Sequence, residues 1–202
     1  MDSQGARTSD VHRKTAETDV RVLLRLDGNG EVTAETGLPF LDHMLAQLGR
    51  HGLFDLTVRA RGDLEVDAHH TVEDVALALG QAFHEALGEH RGIRRMADAI
   101  VPLDEALAQV AVDLSGRGYA VCDLGLRGPA TGAVTSDLWR HFLESLTQTG
   151  RFTLHVRVLT GQNDHHRLEA VFKALARALD VAVQRDPRRA AQVPSTKGSL
   201  TA

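Results

Sequence analysis

The stretch HMLAQLGRHGLFDLTVR, residues 43–59, returns 98 positions later as HFLESLTQTGRFTLHVR, residues 141–157. The two copies share their apolar positions and also begin with the same polar residue, His43 in one and His141 in the other. A repeat in which both the apolar positions and the polar residues between them match indicates an internal duplication. The stretch therefore predicts a chain built from two similar halves.

Each predicted half combines strand patterns with helix patterns. Apolar residues alternate in five segments, which predicts half-buried strands at residues 19–26, 54–60, 106–114, 119–126 and 152–159. Helical spacing of apolar residues, with Gly52 and Gly150 as helix stops, predicts helices at residues 41–52, 71–88, 136–150 and 166–183. The fold class expected is therefore α+β, with strands and helices in each repeat.

The bounds of the two halves follow from the repeat, and those of the connection and the C-terminal tail follow from composition. We predict a first α+β repeat at residues 10–95 and a second at 96–190, joined by an Arg- and Gly-rich connection at residues 89–106. A polar start, residues 1–9, is expected to be flexible, and residues 191–202 form a C-terminal tail with turn composition.

Bulk composition excludes several classes of protein. The net charge of −4 disfavours a generic surface for nucleic acid. Cys122 is the only cysteine of the 202 residues, so no intrachain disulfide forms and a reducing compartment fits. No apolar run approaches the roughly 18 residues of a membrane span, and the start has no apolar core of a secretory signal. We expect a soluble cytoplasmic protein.

A second repeated motif carries the chemistry. AHHTVED (68–74) and DHHRLEA (164–170) both read HHxxE, 96 positions apart. Residues i and i+4 share one face of a helix, so His69 with Glu73, and His165 with Glu169, can close on one ion. Adjacent histidines point about 100° apart around a helix axis. Each HH pair is therefore expected to serve two ions on two sides.

The repeat supplies a matched third histidine to each half, and the inventory divides into two sets of three imidazoles and one carboxylate. We predict one ion held by His43, His69, Glu73 and His166, and a second held by His141, His165, Glu169 and His70. Imidazole with carboxylate suits Mn, Fe, Zn, Co or Ni more than Ca or Mg. The other five histidines, which have no histidine partner in the repeat, are interpreted as surface or supporting residues: His12, His51, His84, His90 and His155.

Several motifs together resemble one enzyme family. LPFLDHMLAQLGRHGLFDL, DAHHTVEDVALALGQA, GIRR, PLDEALA, DLSGRGY, HVRVLTGQNDHHRLEAVFKALARAL and VPSTKGSL, in this order, are similar to the imidazoleglycerol-phosphate dehydratase family of histidine biosynthesis. The resemblance runs from about Arg13 to Leu200, nearly the whole chain. The phosphatase domain fused to some members is absent, so the chain resembles the monofunctional form.

The resemblance implies further properties. It implies two halves of four strands and two helices each, the ribosomal protein S5 domain 2-like fold. It implies a homo-oligomer of 24 subunits, two Mn²⁺ per active site, and metal sites shared between subunits. The implied reaction dehydrates D-erythro-imidazole glycerol phosphate to imidazole acetol phosphate through a metal-bound imidazolate. We hypothesise that two similar metal sites suit the two nitrogens of one ring.

The resemblance also implies roles for residues outside the metal set. Loss of a non-acidic C–H proton and of hydroxide from the adjacent carbon needs a proton carrier, and Glu17 matches the acid/base position. Gln47 and Asp104, or Glu105 in its place, match other active-site positions. The family's positions for the substrate phosphate match basic and hydroxyl side chains: Arg95, Arg117, Lys173, Ser195 and Lys197.

Two alternatives remain open from the residues alone. A dinuclear metallohydrolase would use a metal-bound hydroxide as nucleophile, although such sites are usually richer in Asp. A metal store or sensor would bind the ions without needing the Arg and Lys residues of a phosphate site.

Overall fold

Two four-stranded sheets, one two-stranded hairpin and four α-helices form the part of the chain that the computed structural model describes, residues 6–189 and 192–200. The predicted flexible start falls partly outside these residues, as do the two ends of the predicted tail. Among the helices described, none combines the length and the hydropathy needed to cross a bilayer.

The first half contains four strands and two helices. In chain order they are β1 (Thr8–Lys14), β2 (Thr18–Arg25), β3 (Val32–Glu35), α1 (Pro39–Gly52), β4 (Asp55–Gly62) and α2 (His69–Leu87). The second half repeats this order and inserts a short hairpin before its first helix. Its elements are β5 (Met96–Leu103), β6 (Ala106–Asp113), β7 (Tyr119–Asp123), β8 (Ala130–Thr131), β9 (Val134–Thr135), α3 (Ser136–Gly150), β10 (Thr153–Thr160) and α4 (Asp164–Val183).

The two large sheets have the same topology. The strand order is β1-β2-β4-β3 in one sheet and β5-β6-β10-β7 in the other. In each sheet three strands are antiparallel, and the fourth, β3 or β7, runs parallel to its neighbour. The predicted α+β fold of two similar halves, each a four-stranded sheet backed by two helices, is thus confirmed.

Five strands were not predicted from alternation: three strands of the large sheets and the two short hairpin strands, β8 and β9. β1 begins inside the polar start that was expected to be flexible, β5 lies inside the predicted connection, and β3 has only four residues. Val11 is the only residue of β1 that is fully buried, so this strand carries little apolar signal. β1 and β5 are edge strands that pair along their whole length with β2 and β6, and this pairing orders them.

The helices of the two halves face each other between the sheets. α2 packs on β1 and β2 and against α3, whereas α4 packs on β5 and β6 and against α1. The aromatic side chains of this core are fully buried, and burial of each stabilises the fold by about 1.5–3 kcal/mol. They are Phe54, Phe83, Trp139, Phe142, Phe152 and Phe172.

The C-terminal ends of α1 and α3 have the same structure in the two halves. α1 and α3 both end in a glycine, but the left-handed residue is the next one, Leu53 (φ 56°) in one half and Arg151 (φ 52°) in the other. The helices therefore end at the glycines, as predicted, but the left-handed conformation that usually belongs to such a glycine lies on the following residue. A Cβ at Gly52 would overlap the ring of Phe54, and a Cβ at Gly150 would lie 2.6 Å from the ring of Phe152. The glycines are needed because a buried aromatic ring packs on them.

Candidate metal centre

The first cluster of possible ligands joins α1 to α4. His43, His165 and Glu169 each offer a ligand atom, and these atoms all lie within 4.8 Å of one another. Glu169 Oε2 is 3.2 Å from His43 Nε2 and 3.1 Å from His165 Nε2. The carboxylate therefore bridges a histidine of the first half and a histidine of the second.

The second cluster is the counterpart of the first and joins α2 to α3. His69, Glu73 and His141 also offer ligand atoms within 4.8 Å of one another. Glu73 lies 3.8 Å from His69 Nε2 through one oxygen and 3.5 Å from His141 Nε2 through the other. His141 Nε2 is buried and has no hydrogen-bond partner among the residues described. A cation between this nitrogen and the carboxylate of Glu73 would give both groups a partner.

The two clusters correct the predicted grouping. His43 was assigned to the same ion as His69 and Glu73, but the structure brings it to His165 and Glu169. His141 likewise meets the first half's HHxxE motif. The reason is the packing of the halves, because α1 lies against α4 and α2 against α3. His43 and His141 therefore each lie next to the HHxxE motif of the other half.

The remaining two predicted ligands lie outside both clusters. His70 Nδ1 is 3.0 Å from Asp63 and 3.7 Å from Glu17, and His166 Nδ1 is 2.7 Å from Glu105. Within one chain each HH pair therefore sends one imidazole into a cluster and the other towards a separate carboxylate. The hydrogen bond that His70 donates to Asp63 raises the pKa of His70, and the one that His166 donates to Glu105 raises the pKa of His166.

The donor set of the clusters fits a transition-metal ion. Two imidazole nitrogens and one carboxylate oxygen in each cluster are ligands that Mn, Fe, Zn, Co and Ni accept. Burial raises the pKa of Glu169, but Lys173 and the two cluster histidines lower it more, to about 2. This carboxylate is therefore an anion at neutral pH, as a ligand must be.

The predicted acid/base residues sit around these groups in different ways. Glu17 is 52% exposed and approaches His70 without a hydrogen bond between their side chains. Gln47 lies beside the first cluster, 3.5 Å from His43 Nε2. Asp104 occupies a turn with φ 47°, and its neighbour Glu105 is the residue that reaches a histidine. Hydrogen bonds from the backbone of Asn163, from His166 and from the backbone of Gln162 lower the pKa of Glu105 to about 2.

The predicted phosphate residues fall into two groups. Arg95 donates to Asp113 and to the carbonyl of Pro194, next to Ser195 in the tail. Farther along the tail, the Leu200 backbone packs directly on Gly116, beside Arg117. The tail that carries Ser195 and Lys197 thus contacts both regions of the chain that hold the predicted arginines. Lys173 instead donates to Glu169 of the first cluster, with its Nζ atom 2.5 Å from Glu169 Oε1.

Two contact residues were missed by the sequence analysis. Asp63 contacts His70. The repeat could not indicate this residue, because its counterpart in the second half, residues 160–163 (TGQN), contains no carboxylate. Phe40 packs its ring against His43 and His165, with centroids 6.2 and 5.0 Å apart. The resemblance motif LPFLDH included Phe40, yet an aromatic residue at a helix start is no ligand signal by itself.

Comparisons with known proteins identify one enzyme family. The family model for imidazoleglycerol-phosphate dehydratase matches residues 36–179. The imidazoleglycerol-phosphate dehydratase of Frankia casuarinae is 60% identical over 196 residues, which are 96% of this chain and 100% of that protein. The enzyme of Dehalococcoides mccartyi is 57% identical over 194 residues, 96% of this chain and 97% of its own.

Solved structures agree as well. A crystal structure of the enzyme from Pyrococcus furiosus superposes with a TM-score of 0.80 at 36% identity, covering 93% of this chain and 99% of that one. The Staphylococcus aureus structure gives 0.77 at 30% identity, covering 88% and 100%. The duplicated fold, the two histidine–carboxylate clusters and these similarities together place the chain in the imidazoleglycerol-phosphate dehydratase family, the hydro-lyases of histidine biosynthesis.

Proposed function

We propose that this chain catalyses the metal-dependent dehydration of D-erythro-imidazole glycerol phosphate to imidazole acetol phosphate and water. The observation that carries the proposal is the pair of equivalent clusters, His43 with His165 and Glu169, and His69 with Glu73 and His141. Family membership supports the dehydratase activity, and the clusters support its dependence on a metal.

The proposed cofactor is two Mn²⁺ per active site, held by the clusters with His70 and His166. Each cluster offers three ligands, which leaves positions open on an ion that takes up to six. Bound ions would act as Lewis acids on the two ring nitrogens of the substrate, which is the chemistry that an imidazolate route needs.

The residues of the chain supply the proton transfers and the positioning. Glu17, exposed and not fixed by a hydrogen bond to its neighbouring histidine, is the group proposed to take the C–H proton and to return one as the enol becomes a ketone. Arg117, Ser195 and Lys197, with Arg95 as the anchor of the tail, are proposed to hold the phosphate. Binding energy from the phosphate then keeps the reacting carbons next to Glu17.

The proposed assembly is a cytoplasmic homo-oligomer of 24 subunits in which neighbouring chains complete each other's metal sites. Its support is the position of His70 and His166, which no cluster of a single chain includes. Neither alternative class has a supporting observation, because the relatives named above are dehydratases rather than hydrolases or metal stores.

The test is an assay of the purified full chain with Mn²⁺ and imidazole glycerol phosphate. We expect the keto product to form with Mn²⁺, to disappear after chelation and to return when Mn²⁺ is restored. Atomic absorption on the same samples shows whether metal is bound. No product from protein that has its metal fully bound would refute the proposed function.

A further inference from the structure

The duplication extends to a pair of glutamates that the sequence repeat does not align. The hairpins β1–β2 and β5–β6 have the same register, since Lys14 pairs with Asp19 and Pro102 pairs with Leu107. At this shift of 88 positions, Glu17 precedes β2 where Glu105 precedes β6. The two carboxylates thus occupy equivalent places in the two halves.

Their contacts differ. Glu17 Oε2 stays 3.7 Å from His70 Nδ1, whereas Glu105 Oε2 lies 2.7 Å from His166 Nδ1. The other oxygen of Glu105 accepts the backbone N–H groups of Gln162 and Asn163, at 3.0 and 2.9 Å. Glu105 is therefore fixed at both oxygens, and Glu17 is not fixed to its histidine.

In the first half a different carboxylate makes the contact with histidine Nδ1 that Glu105 makes in the second half. Asp63, in the loop before α2, lies 3.0 Å from His70 Nδ1. The matching loop before α4, residues 161–163 (GQN), has no acidic residue. In the first half the loop residue Asp63 contacts His70, and in the second half the hairpin residue Glu105 contacts His166.

We propose that Glu105 is a positioning residue that fixes the tautomer of His166. An ionised carboxylate only accepts hydrogen bonds, so the proton of a neutral His166 sits on Nδ1 and Nε2 presents its lone pair to a metal. Asp63 does the same for His70. This inference rests on the proposed function only in taking His166 as a metal ligand.

The exchange of carboxylates has a consequence for the equivalent glutamates. Because Asp63 already occupies His70 Nδ1, Glu17 is left without a fixed partner at the histidine and remains free to move a proton. Glu105 has no such substitute and is committed to His166. The two halves, similar in fold, thus assign equivalent glutamates to different tasks.

The test is Glu105→Gln in the full chain, with Mn²⁺ affinity measured by titration calorimetry on metal-stripped protein. The amide oxygen still accepts the two backbone N–H groups, so the NH₂ group faces His166 and donates to Nδ1. That hydrogen bond drives the imidazole proton to Nε2 and blocks the ligand atom. We expect Mn²⁺ to bind about 10- to 100-fold more weakly.

Two further variants make the test specific. Glu17→Gln, the change at the equivalent position, is expected to alter Mn²⁺ affinity by about fivefold or less, because an exposed pair contributes little. In a His166→Ala background, Glu105→Gln should weaken Mn²⁺ binding no further, since the histidine through which it acts is gone. A purely structural role in the loop would instead weaken binding equally in both backgrounds.

Two results would overturn the proposal: wild-type Mn²⁺ affinity in Glu105→Gln, or an equal loss with and without His166. If Glu105→Gln does not fold, the same cycle is run with Glu105→Asp, whose shorter carboxylate withdraws from His166, and the same two results decide. The measured quantity is metal affinity, so a chain that binds Mn²⁺ as expected but forms no keto product would refute the proposed function alone.

Discussion

At the scale of single residues, the freedom of Glu17 is a property that can be tested. Its carboxylate is half exposed and 3.7 Å from His70, while Asp63 makes the closer contact with that histidine. We expect Glu17→Gln to keep its Mn²⁺ and its fold but to lose turnover by about 100- to 10,000-fold, the range for removal of a general acid or base. Steady-state kinetics, with metal content measured on the same protein, checks this. Turnover within a few-fold of wild type would remove Glu17 from the mechanism.

The only cysteine gives a prediction about pH. Burial, with a smaller contribution from Glu144, raises the pKa of the Cys122 thiol to about 11. The thiolate is the reactive form, so raising the pKa from 9.0 to about 11 lowers the thiolate fraction at pH 8 about 100-fold. We expect iodoacetamide to modify folded protein about 100-fold more slowly than urea-unfolded protein at pH 8, with a rate that climbs towards pH 11. Equal rates at pH 8 would contradict the raised pKa.

At the scale of elements, α2 and α3 approach each other through glycine. A Cβ at Gly80 would overlap the carbonyl oxygen of Leu146 and the hydroxyl of Thr149, and would lie 2.8 Å from the backbone nitrogen of Gly150. These atoms belong largely to backbone, which cannot turn aside. The contact also positions the second cluster, because α2 carries His69 and Glu73 and α3 carries His141.

We expect Gly80→Ala to destabilise the protein by about 2 kcal/mol. Alanine favours a helix over glycine by about 1 kcal/mol, but overpacking a tight contact costs about 1–3 kcal/mol or more, and a backbone clash belongs at the upper end. Urea unfolding measures the change. The adjacent, exposed Gln81→Ala is the matched control and should stay within about 0.5 kcal/mol of wild type. A Gly80→Ala protein as stable as wild type would show that the helices can move apart freely.

The elements also show which parts of the fold are written in the sequence. α3 was predicted at the bounds it has, and β2, β4, β6 and β10 within two residues, because their apolar periodicity is strong. β1 and β5 were missed because edge strands bury few side chains and are ordered by pairing with a neighbour. Leu53 and Arg151 were missed because a left-handed helix end is usually a glycine.

At the scale of the whole molecule, the sequence indicates the candidate metal ligands more readily than it indicates which of them lie together. The repeat selects the six histidines and two glutamates, since it matches side chains at equivalent positions. Grouping them requires knowing that α1 packs on α4 and α2 on α3, a choice made by tertiary packing. The apolar periodicity of a helix does not indicate which other helix it packs on. The predicted grouping of His43 with His69 was wrong for this reason.

The same geometry predicts that metal holds the proposed assembly together. Within one chain each cluster offers three ligands, and His70 and His166 face Asp63 and Glu105 instead. An ion that completes its shell with these imidazoles must therefore join two chains, and its binding energy becomes assembly energy.

We expect chelation of the full-length protein to reduce the particle mass measured by light scattering after gel filtration, and added Mn²⁺ to restore it. His141→Ala, which removes a cluster ligand, should give a small particle even with Mn²⁺ present. His12→Ala, which removes an exposed imidazole outside the clusters, should leave the large particle intact. A particle of unchanged mass after complete removal of metal, confirmed by elemental analysis, would mean that contacts other than shared ions hold the subunits, and that each chain completes its own metal sites or leaves them open.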